Sequence, residues 1–63
     1  MKSYSSNEIL KILRDDGWVI KEQTGSHVQL RHSTKSGKVT VPHPKKDMPS
    51  RTIHSILNQA GLK

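Results

Sequence analysis

The stretch WVIKEQTGSHVQLRHSTKSGKVTV, residues 18–41, decides the fold. Three runs within it are built from strand formers. Trp18 to Gln23 opens on Trp, Val and Ile. His27 to Ser33 alternates around Val28 and Leu30, and Lys38 to Val41 around Val39 and Val41. Two breaker clusters, Thr24-Gly25-Ser26 and Thr34-Lys35-Ser36-Gly37, separate the runs. Connections this short join neighbouring strands, so the spacing predicts an antiparallel meander. Pro42 ends the third strand because it has no N–H for the ladder.

Helical patterns flank the stretch on both sides. Upstream, Ser5 and Glu8 have capping-box spacing, and Tyr4 and Ile9 have that of the hydrophobic staple. Ile9, Leu10, Ile12 and Leu13 form an apolar stripe, with Lys11, Arg14 and Asp15 turned away. Gly17 supplies the left-handed residue that ends this helix. Downstream, Pro42 to Pro49 reads as a loop with no periodicity. The last helix starts near Pro49 or Ser50, and Asp47 and Ser50 are equal candidates to cap it. Ile53, Ile56, Leu57 and Ala60 make its buried face. Gly61 and Leu62 predict a Schellman ending, with Leu62 folding back onto Leu57.

The expected architecture is a single α+β domain over residues 1–63, of order α-β-β-β-α. Two amphipathic helices cover one face of a three-stranded antiparallel sheet. Val28, Leu30, Val39 and Val41 face the helices, with Trp18 and Ile20. Strict alternation puts Val19, Lys21, Gln23, His27, Gln29, Arg31, Lys38 and Thr40 on the opposite, open face. That face is polar and basic.

Composition narrows the function. Sixty-three residues give a small core and no room for a cleft between lobes. An active site must lie on an open surface or at an interface. The absence of cysteine excludes disulfides, thiol nucleophiles and cysteine-based zinc sites. No apolar run reaches the length of a membrane span or a signal peptide, so a soluble, cytoplasmic protein is expected. The net charge of +6 favours a polyanionic partner, nucleic acid first. With only Tyr4 and Trp18 as aromatics, base stacking is a poor fit. Contacts to phosphate and sugar are expected instead.

Four histidines carry the candidate chemistry. Cleaving RNA without a metal needs a base for the 2′-hydroxyl proton and an acid for the leaving oxygen. Imidazole does both near neutral pH. His27 sits beside a tight turn on the open face. Arg31, Lys21 and Lys38 share that face and would stabilise phosphorane charge. Ser26 and the backbone N–H groups around Gly25 offer contacts to a phosphate oxygen. The residue pattern alone nevertheless favours an inert histidine at a hairpin end. His32 has the parity of Val28 and Leu30, so it is expected at the core edge or near a helix end. His43, framed by Pro42 and Pro44 beside Lys45 and Lys46, is either an RNA-contacting group or part of a solvated loop. His54 lies off the apolar stripe and is expected to be exposed. No histidine pair has helical ligand spacing and no HExxH is present, so no metal site and no cofactor are expected.

Several short segments in order resemble the HicA toxin family, also called YcfA-like, over nearly the whole chain. They are Asp16-Gly17-Trp18, Gly25-Ser26-His27 with Val28-Gln29-Leu30, Val39-Thr40-Val41, Pro42-His43-Pro44, and the helix from Ile53 to Leu62. The resemblance implies a double-stranded-RNA-binding-domain-like fold. It implies an mRNA interferase, the endoribonuclease toxin of a type II toxin–antitoxin system, which arrests growth. It implies a HicB antitoxin that covers the active site. It makes His27 the catalytic residue and needs no cofactor. RNA contacts are then expected from Ser26, Lys21, Gln29, Arg31, Lys38, His43, Lys45 and Lys46. Such an open site is expected to turn over slowly. The alternative is a non-catalytic RNA-binding module that uses the same face.

Overall fold

The capping box at Ser5 is present and starts the chain's first helix. Ser5 Oγ accepts the Glu8 N–H, and the Glu8 carboxylate accepts the Ser5 N–H at 3.0 Å. The structure, a computed structural model, describes residues 4–62. Its elements are α1 (Ser6–Asp15), β1 (Trp18–Thr24), β2 (His27–His32), β3 (Lys38–Pro42) and α2 (Ser50–Gln59). The sheet is antiparallel in the order β1-β2-β3. The α-β-β-β-α order and three-stranded sheet are those expected, and they are consistent with a double-stranded-RNA-binding-domain-like fold.

The core lies between the sheet and the two helices. Ile9, Leu10 and Leu13 of α1 meet Trp18, Val28, Leu30, Val39 and Val41, and α2 adds Ile53 and Ile56, followed by Ala60. Two expected core positions differ. Ile12 is exposed, because the buried seam of α1 runs through Ser6, Ile9, Leu10 and Leu13. Ile20 is 43% exposed. It pairs with Leu30 on the inner face, but β1 is an edge strand and only its first residue, Trp18, is buried.

The ends of α2 follow different rules. Neither Asp47 nor Ser50 occupies the N-cap position. The cap position is Pro49, with no side-chain hydrogen bond. The C-terminal end is the expected Schellman motif. Leu62 N–H donates to Leu57 O at 2.9 Å, Gly61 N–H donates to Asn58 O at 3.1 Å, and Gly61 has φ +72°. The loop before α2 is anchored more firmly than its composition suggests. Met48 is buried, and its N–H donates to Tyr4 O at 2.9 Å.

Candidate functional site

Gly25 and Ser26 form a two-residue hairpin loop between the paired residues Thr24 and His27. Gly25 has φ +57° and Ser26 does not have a positive φ, the pattern of a type II′ turn. This turn sets His27 as the first residue of β2, where it is exposed. Among the described residues its ring has no hydrogen-bond partner. On the other side His27 pairs with Pro42, so the central strand is flanked by both neighbours at this point.

The turn is tied to the loop that follows β3. His43 N–H donates to Ser26 O at 2.7 Å, extending the β2–β3 ladder by one step. The His43 ring meets α1, with Nδ1 2.7 Å from Ser6 Oγ. Ser6 Oγ also accepts the Lys45 N–H at 3.0 Å, and Ser6 N–H donates to Lys45 O at 2.8 Å. Ser26, His27, His43 and the Lys45 backbone thus gather at one end of the sheet, beside the start of α1. Lys45 and Lys46 are exposed there. By alternation His27 belongs to the open face and His43 to the helix side, so the two imidazoles flank the sheet end.

The remaining candidates are arranged differently from the expectation. A β-bulge between Ile20 and Glu22 makes Lys21 the unpaired residue and reverses the parity beyond it. Glu22 and Thr24 therefore take the open-face places expected for Lys21 and Gln23. Thr24 Oγ1 donates to Glu22 Oε2 at 3.3 Å, as expected of same-face neighbours. The face near His27 is less basic than strict alternation implies.

Gln29, Arg31 and Lys38 do share the open face with His27. Arg31 pairs with Lys38, and Lys38 Nζ donates to Gln29 Oε1 at 3.3 Å. The Arg31 guanidinium donates to Gly37 O at 3.3 Å. Arg31 stands four positions along the strand from His27, a span of about 13 Å. The Arg31 and Lys38 backbones thus lie well along the strand from a phosphate beside His27, although the Lys38 ammonium reaches back to Gln29. They suit a neighbouring phosphate on the same strand.

His32 and His54 are where they were expected. The His32 ring packs edge-on against Trp18 with centroids 5.2 Å apart, and its Nε2 lies 2.7 Å from Asp16 O. Nδ1 accepts the Thr34 and Lys35 N–H groups, so Nε2 carries the proton that goes to Asp16 O. His54 is exposed on α2 beside Arg51, Ser55 and Asn58. At this far end of the sheet Lys35 Nζ bonds Asp16 Oδ2 at 2.6 Å and Ala60 O at 3.0 Å. The Lys35 ammonium holds the Asp16 carboxyl below its usual range. Among the described residues, no group of three or more His, Cys, Asp and Glu could hold a metal ion.

Sequence reasoning missed Ser6. Its only signal was position: it falls three, four and seven residues before Ile9, Leu10 and Leu13, which places it on the buried seam of α1.

The family model described as HicA toxin of bacterial toxin-antitoxin matches residues 6–62. The chain belongs to the HicA toxin family. This HicA-family chain is also similar to a solved structure, "Toxin-Antitoxin complex from Streptococcus pneumoniae". The two are 25% identical with a TM-score of 0.77, over 92% of this chain and 97% of that one. No curated protein matches the chain. Among the described residues no helix is long and apolar enough to cross a membrane.

Proposed function

We propose that this HicA-family toxin is an mRNA interferase, an endoribonuclease that cleaves mRNA by histidine acid–base catalysis with no metal. The observation that carries the reading is His27, an exposed imidazole whose backbone is set by a tight turn on the open face of a basic domain. His27 takes the proton from the 2′-hydroxyl, and that oxygen attacks the adjacent phosphorus. The 5′-oxygen leaves with a proton, returned by the His27 imidazolium acting as acid in turn. The products are a 2′,3′-cyclic phosphate and a 5′-hydroxyl. Arg31, Lys38 and Gln29 hold the strand on one side of the scissile bond. Lys21, Lys45 and Lys46 add longer-range attraction, and Ser26 contacts the phosphate at the turn.

Turnover is slow in this reading. The site is open to water, and no neighbouring side chain orients the His27 ring. That same lack of an orienting partner favours the second reading, a binding module that holds RNA without cutting it.

A HicB-type antitoxin is the proposed partner. The solved relative is a toxin–antitoxin complex, and the +6 charge of this chain suits an acidic surface that would mask His27. The proposed setting is the cytoplasm, where mRNA is found.

The test is to induce the wild-type chain and His27→Ala in separate cultures at matched soluble levels. Arrest with degraded mRNA in the wild type alone is the expected result. Arrest by both forms with intact mRNA means the chain sequesters RNA by binding.

A further inference from the structure

We propose that His43 is a second RNA-contacting imidazole of this site, a neutral hydrogen-bond donor to a phosphate oxygen through Nε2–H. Ser6 is the positioning residue that fixes its tautomer. The proposal deepens the ribonuclease reading above and rests on it for the identity of the ligand.

The tautomer follows from counting donors and acceptors around one hydroxyl. Ser6 is buried, at 2% exposure. Its Oγ accepts the Lys45 N–H at 3.0 Å and lies 2.7 Å from His43 Nδ1. A hydroxyl has one hydrogen to give. If His43 Nδ1 carried the proton, Ser6 Oγ would accept twice and its own hydrogen would be left without an acceptor among the described residues. A buried donor left unpaired is costly. With Nδ1 as acceptor, every group is satisfied. The remaining ring proton then sits on Nε2, which has no protein partner among the described residues.

The ring is held firmly as well as oriented. Its backbone N–H is bonded to Ser26 O at 2.7 Å, and the chain on either side is proline. Lys45, two residues on, is locked to Ser6 by reciprocal hydrogen bonds. A fixed neutral imidazole with one free N–H at this end of the sheet gives a phosphate oxygen a charge-assisted hydrogen bond without moving a proton. Because His27 lies on the open face and His43 on the helix side, the two meet different phosphates of one strand that rounds the sheet end: His27 moves protons, and His43 holds an oxygen. The exposed ammonium groups of Lys45 and Lys46 draw the strand towards it.

The test uses two amides that mimic opposite ring nitrogens. His43→Asn places its amide near Nδ1 and keeps the Ser6 contact. His43→Gln places an N–H near Nε2. Affinity for a short mixed-sequence RNA is measured in a His27→Ala background, and cleavage with His27 intact. The expected result is a loss of about tenfold in affinity for His43→Asn, with most of it recovered in His43→Gln. Ser6→Ala weakens binding when His43 is present and has no further effect on His43→Asn. The ¹⁵N shifts of His43, which need no RNA, report the Nε2–H tautomer in the wild type and a mixture in Ser6→Ala.

Wild-type affinity in His43→Asn, equal losses in Asn and Gln, or an Nδ1–H tautomer overturns the proposal. If His27→Ala still cleaves RNA, the ribonuclease assignment of His27 fails, while the affinities still judge His43.

Discussion

His43 N–H lies 2.7 Å from the carbonyl oxygen of Ser26, and this bond joins the β1–β2 turn to the loop after β3. It makes the position of His27 depend on two connections at once. The hairpin sets where the histidine falls along the strand. The loop, stitched to the start of α1 through Ser6, holds the turn from the other side.

Gly25 and Gly17 are expected to respond differently to alanine. Both have positive φ, at +57° and +105°. A Cβ at Gly25 meets nothing within 4 Å, whereas one at Gly17 stands 2.8 Å from His32 Nε2. Gly25→Ala should cost about 1 kcal/mol from backbone strain alone. Gly17→Ala should cost more, because the His32 ring is itself bonded to Asp16 O. Urea unfolding of the two variants checks the order, and equal losses would contradict the role given to His32.

The Lys35–Asp16 pair gives a pH signature. Hydrogen bonding to Lys35 is the largest cause lowering the Asp16 carboxyl below 3.8, against an opposing contribution from burial. A carboxyl depressed in the folded state stabilises it above the unfolded value, and that contribution is lost as pH falls through the folded value. Lys35→Met should raise the Asp16 titration midpoint in an NMR titration. It should also be less stable than the wild type at neutral pH, with the gap narrowing below about pH 4. Because Lys35 also bonds Ala60 O, part of the gap should remain in acid.

Met48 shows how much the loop before α2 contributes to the core. It is nearly fully buried, so Met48→Ala should cost about 2–5 kcal/mol. Met48→Leu, which keeps the volume, should cost less than about 1.5 kcal/mol. Thermal unfolding separates the two, and a mild alanine effect would mean the loop is not anchored by this side chain.

Arg31 is assigned to a neighbouring phosphate. Arg31→Ala should weaken RNA binding evenly across sequences and reduce the slope of log affinity against log salt by about one. The cleavage rate at saturating RNA should change little. A large fall in that rate with affinity intact would place Arg31 at the scissile phosphate.

Much of this molecule was legible before any coordinates. The capping box at Ser5, the Gly61 ending and the alternation of Val28, Leu30, Val39 and Val41 are local patterns, and each forms as expected. The misses come from longer-range effects. The bulge at Lys21 leaves no mark in residue type, yet it moves Glu22 onto the open face in place of Lys21. Ile20 reads as core, but whether an edge strand is covered depends on where the helices lie. Ser6 and Met48 sit in segments that look like a cap and a loop, and their burial depends on contacts dozens of residues away. Lys35, read as a turn residue, reaches both helix ends for the same reason. At the candidate site, His27 and His43 stand out in the sequence, whereas Ser6, whose Oγ lies 2.7 Å from His43 Nδ1, does not.

The decisive measurement is cleavage of RNA by the purified chain and by His27→Ala, in EDTA, with the product ends identified. Cleavage by the wild type alone, leaving 2′,3′-cyclic phosphate and 5′-hydroxyl ends, is the predicted result. Equal cleavage by His27→Ala, or products with 3′-hydroxyl and 5′-phosphate ends, would contradict histidine-driven attack by the 2′-hydroxyl.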